Sequence, residues 1–184
     1  MRTTPSGGGC DERRAGGGLL GSYTTFSTWR RDSERLAELS AERGDVDGAI
    51  EALKFLANVD QENPQPWLRI FALADKKNDA ATAASALEQL AKMATGADKV
   101  QRLVEFADYC FDTLEDDQRG LVALREAHVE APDDDGVLAR LEGRLKIARI
   151  EGAELASVLW KRAQLQTSAA SKAALLFEHA ALVF

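Results

Sequence analysis

Residues 42–60 read ERGDVDGAIEALKFLANVD. A Gly44–Asp45 turn leads into Ala49, Ile50, Leu53, Leu56 and Ala57, spaced as one face of a helix. A small alanine stands where that face begins, and the arrangement returns further along the chain. Ala49 to Ala83, Leu53 to Leu87 and Leu36 to Ile70 share a single interval of 34. Leu87 to Leu124 is 37, while Leu124 to Trp160 and Ala127 to Ala163 are each 36. Helix, turn and helix recurring at this near-constant period predict an all-α solenoid of antiparallel helix pairs.

The punctuation agrees with that pattern. Gly44 can take the left-handed conformation that closes a helix, and Asn78 is the next-best residue for it. Pro64, Pro66 and Pro132 fall between repeats, where no backbone N–H is needed. In APDDDG the aspartates can cap the following helix, whereas the alternating acidic ligands of a calcium loop are missing. The segment TGADKV, between the second pair and the third, is expected to accommodate the longer interval there.

Composition narrows the function classes. Aromatics make up 7% of the 184 residues, and Ala and Leu supply most of the apolar share, which suits close-packed helices. The formal net charge is −7, and residues 1–28 carry a net +1, so the remainder holds −8. Such a body repels phosphate backbones and anionic lipid, which argues against nucleic acid and membrane partners. Cys10 and Cys110 make no disulfide framework. No signal peptide or membrane-spanning run is recognised, so the expected location is cytoplasmic.

Seven of the fourteen glycines lie at or before Gly21, and residues 1–28 are expected to form a flexible arm. Its GGGLLG, Gly16 to Gly21, spells a dinucleotide fingerprint but lacks the buried strand before it, and is set aside. His128 and His179 stand on separate predicted helices, with His128 expected towards an exposed end and neither in a metal-ligand spacing. Cys110 reads as a small buried hydrophobe. No catalytic constellation, metal site or cofactor is expected.

The pattern resembles a tetratricopeptide repeat array. The resemblance rests on Leu36, Ala37, Gly44, Ala49, Leu53 and Leu56 in the first repeat, and on Trp67, Ile70, Ala83, Leu87 and Leu90 in the second. The third repeat keeps Leu124, Ala127 and Pro132; the fourth keeps Leu141, Ala156, Trp160 and Ala163. Phe71 and Asp108 stand where the family usually has a small residue, Gly120 replaces a second-helix alanine, and no glycine closes the turn at Glu115. The resemblance implies a right-handed superhelix over 29–184, with repeats at about 30–63, 64–97, 101–134 and 135–168 and an incomplete fifth at 169–184.

It further implies that first helices line a concave groove for a protein or peptide. The groove side chains would be Glu34 and Glu38, then Leu68, Ala72 and Asp75, then Arg102, Glu105, Tyr109 and Asp112. An acidic groove of this kind suits a basic or mixed-charge partner, with Tyr109 as the aromatic anchor. Two other expectations stand beside the scaffold. SKAALLFEHAALVF, residues 171–184, is apolar at ten of fourteen positions, so this end could pair with a further helix or with a second copy. The array could also be the non-catalytic part of a larger enzyme or regulatory protein.

Overall fold

The computed structural model describes the backbone of residues 18–150 and 152–183, with side chains from residue 28 onward. The segment 1–17, with Cys10, lies outside the described residues, as does the start of GGGLLG. Every regular element among the described residues is an α-helix. The chain divides into two compact units, residues 1–60 and 61–184.

The first unit holds α1 (Gly18–Glu42) and α2 (Val46–Val59), packed on each other. Helix α1 thus enters the stretch 1–28 expected as an arm. Gly44 takes φ +77°, and the Asp45 N–H donates back to the Ser40 carbonyl at 2.9 Å, closing α1. Asp45 then accepts from the Gly48 N–H at 2.9 Å and caps α2. Ala49 and Leu53 are wholly buried, so the small residue of the opening stretch is where a neighbouring helix presses close. Leu36, one of the residues behind the resemblance, corrects to an exposed position at 56%. Its neighbour Ala37 takes the buried place instead.

The second unit contains α3 (Gln65–Lys77), α4 (Ala80–Met93), α5 (Gly96–Asp112), α6 (Asp117–Glu130), α7 (Asp135–Ile147), α8 (Ala153–Leu165) and α9 (Ala169–Val183). Within it, each helix packs on its neighbours in the chain. One apolar core threads them, from Leu87 and Leu90 through Phe106, Cys110 and Leu124 to Leu138, Leu145 and Leu159. The turns inside the pairs repeat one device. Asn78, Glu115 and Arg149 all have positive φ, near 60°, 54° and 54°, and Asp79 and Asp116 follow as caps of α4 and α6. Asp134 caps α7, as the APDDDG segment suggests.

Three details refine or correct the sequence reading. The residues of TGADKV after Thr95 are helical: α5 absorbs the longer spacing by running 17 residues against 13 for α3 and α7. At Gly120, which replaces a second-helix alanine, the ring of Phe111 occupies the room a side chain would need. Trp160 does not fill the core and is 50% exposed, tilted against His179 at 5.5 Å. The pairs Ala52–Leu53, Ala86–Leu87 and Ala123–Leu124 give way to Leu159–Trp160 in α8. Leu159 takes the buried place and the bulkier indole is left at the surface.

Candidate interaction groove

First helices of the second unit stand side by side, and side chains bridge them about one repeat apart. The Tyr109 hydroxyl on α5 donates to Asp75 on α3 at 3.4 Å. Asp108 and Asp112 on α5 meet Arg140 at 3.6 Å and Arg144 at 3.2 Å on α7. Lys146 on α7 pairs in turn with Glu178 on α9. Such surface pairs each contribute only about 0–1 kcal/mol. Their value is positional, since they fix the register of one first helix against the next.

Between α3 and α5 lies an open cavity of about 490 Å³. Of the residues that the resemblance assigns to the groove, Leu68, Arg102, Glu105, Tyr109 and Asp112 line it. Asp75 touches the wall through Tyr109, while Ala72 is exposed on α3 outside the lining. Glu34 and Glu38 belong to the first unit, on α1, where Glu34 lies 3.7 Å from Arg30.

Phe71, Leu87, Asp108 and Thr113 also line the cavity and are absent from the expected set. Two of them carried a readable signal. Phe71 and Asp108 are the positions where this chain departs from the family's small residue. Phe71 uses its bulk to meet Tyr109 edge-on, with ring centroids 5.8 Å apart and planes at 73°. That contact holds the Tyr109 ring in place. Partial burial and the Asp75 carboxylate both push its hydroxyl above the ordinary phenol range, so it stays a donor at neutral pH.

The electrostatics are mixed rather than simply acidic. Arg102 reaches Glu105 at 3.1 Å, and the two aspartates of α5 already face arginines of α7. Arg144 also stacks over the Phe111 ring, 3.9 Å from its centroid. Arg140 and Arg144 went unread in the sequence, although each follows the aspartate it meets by the same interval of 32.

The reactive groups elsewhere are not poised for chemistry. Burial pushes the Cys110 thiol up to about 11. His128 is half-buried rather than exposed, and its Nδ1 has no partner. Burial first, and then the Lys161 charge, lower its affinity for a proton. Among the described residues no acidic, histidine or cysteine cluster could hold a metal ion, and no helix is long and apolar enough to cross a membrane.

No family model matches the chain. No curated protein matches it either. Among the solved structures with a distant likeness to the chain are two of MamA. One is described as the crystal structure of MamA protein, with a TM-score of 0.46 and 16% identity, over 85% of this chain and 85% of that one. The other, a crystal structure of MamA, has the same TM-score of 0.46 and 16% identity over 80% of this chain and 85% of that one.

Proposed function

We propose that this chain is a tetratricopeptide-like scaffold that holds a segment of a partner protein against α3 and α5. The observation that carries the proposal is the open cavity of about 490 Å³ with Leu68, Phe71 and Leu87 among its lining and charged groups of both signs beside them. An apolar lining with a few placed polar groups is the usual composition of a binding cleft. A segment with one aliphatic or aromatic anchor would set it on Leu68 and Phe71, beside Tyr109. Lys or Arg next to the anchor would answer Asp75 and Glu105. The partner is therefore a protein segment of mixed or basic character, and binding weakens with salt. The role is that of a binding module rather than an enzyme.

The test is selection of displayed peptides on the purified chain, counter-screened against Tyr109→Ala and Glu105→Lys. Enriched sequences should carry an apolar anchor flanked by Lys or Arg, and both variants should lose them. Peptides bound equally by wild type and both variants would move the site away from this cavity. Self-association through α9 is a second reading, favoured by the exposure of Phe177 on that helix.

A further inference from the structure

The cleft between α3 and α5 does not end at the cavity beside Tyr109. A second cavity, of about 290 Å³, meets the first at Leu68 and Arg102, which line both. Helix α4 contributes to each, with Leu87 in the first and Leu90 and Met93 in the second. Leu87 to Met93 covers about 9 Å of helix axis at ~1.5 Å per residue. An extended chain spans that distance in about three residues.

The two cavities differ in how their acids are answered. Around the first, each carboxylate already has a cation: Arg102 at 3.1 Å for Glu105, Arg140 for Asp108 and Arg144 for Asp112. At the second, Asp98 has only that same Arg102, at 3.8 Å. Glu62, exposed just before α3, has no cationic partner among the described residues. Much of the remaining wall is apolar, from Pro64, Leu90, Met93 and Ala94. Such a wall suits a Lys or Arg side chain, whose methylene stem covers the apolar surface while its head meets the acids. A carboxylate seated there would compete with Asp98 and Glu105 for Arg102 and would lie beside Glu62. The helix starts in the wall offer an anion little. Asn63 already accepts the Gln65 N–H at 3.0 Å, and Asp98 occupies the first turn of α5.

We propose that the second cavity holds one Lys or Arg of the partner segment, about three residues from the apolar anchor seated at Leu68 and Phe71. The segment lies extended along the cleft and crosses Leu68 and Arg102, where the cavities meet. This inference rests on the cleft being the binding site and adds what the partner must carry there. Charge attraction alone would accept a base anywhere along the segment. The second cavity accepts it at one separation from the anchor.

Peptide selection on the whole chain, beside Glu62→Lys/Asp98→Lys, tests the proposal. Wild type should enrich Lys or Arg about three positions from a Tyr109-dependent anchor, and the variant should enrich Asp or Glu there instead. Against one wild-type peptide, Glu62→Gln/Asp98→Asn should weaken binding about fivefold. The same peptide with that base changed to Gln should bind both proteins alike. Both substituted side chains are exposed, so helicity by circular dichroism should not change, and the neutral pair carries the test if the lysine pair unfolds. Tyr109-dependent peptides with no base at that separation, or with one that the variants leave indifferent, would overturn this inference and leave the cleft as the binding site. An empty selection, or peptides indifferent to Tyr109→Ala, would overturn both.

Discussion

At Gly120 the chain makes room for a ring. A Cβ built there would lie 2.5 Å from the ring of Phe111, over which the Arg144 guanidinium also stands. Gly120→Ala should therefore destabilise by about 1–2 kcal/mol in urea unfolding, the overpacking cost exceeding the helix propensity gained. Combining it with Phe111→Leu should recover part of that loss. Cys110 gives a pH test. Its thiol rises from an ordinary 9.0 to about 11 through burial, so the unfolded chain releases that proton first. Its contribution is full below pH 9 and is lost as the pH climbs from 9 towards 11. Stability of Cys110→Ala should fall less steeply than wild type over that interval. Cys110 was legible as a buried small hydrophobe. Phe111 was not, because a glycine in place of an alanine looks like a weak repeat until the neighbouring ring is seen.

The helix pair is the element that the sequence states most openly. Gly44 and Asn78 mark turns because their types tolerate positive φ, and the aspartates after them mark helix starts. Glu115 and Arg149 occupy the same conformation without announcing it, since neither type prefers it. Here the stacked helices, rather than local preference, hold the turn. Glu115→Gly should consequently stabilise the chain by about 1 kcal/mol, read as an increase in the urea midpoint. Loss of stability would mean that the Glu115 side chain contributes more than its backbone strain costs. The length of α5 was not legible, because Thr95-Gly96 reads as a loop while Gly96 is the first residue of the helix. In α8 the periodicity ran through Trp160 although the buried residue was Leu159, a one-residue slip that an apolar neighbour on either side conceals.

Across the second unit, helix packing between chain neighbours combines with side-chain bridges between alternate helices, which span 34, 32 and 32 residues, about one repeat each. That arrangement sets one first helix beside the next and leaves a cleft between α3 and α5. Five of the lining residues followed from the resemblance, while the arginines of α7 needed the lateral register that only the structure supplies. The central claim is that this cleft, built from first helices, is where the chain holds another protein. Chemical-shift mapping of the labelled chain with a display-selected peptide tests it most directly. The account predicts perturbations concentrated at Leu68, Phe71, Arg102, Glu105 and Tyr109, abolished by Tyr109→Ala. Perturbations gathered on the second helices or on α9, with those five unmoved, would contradict it.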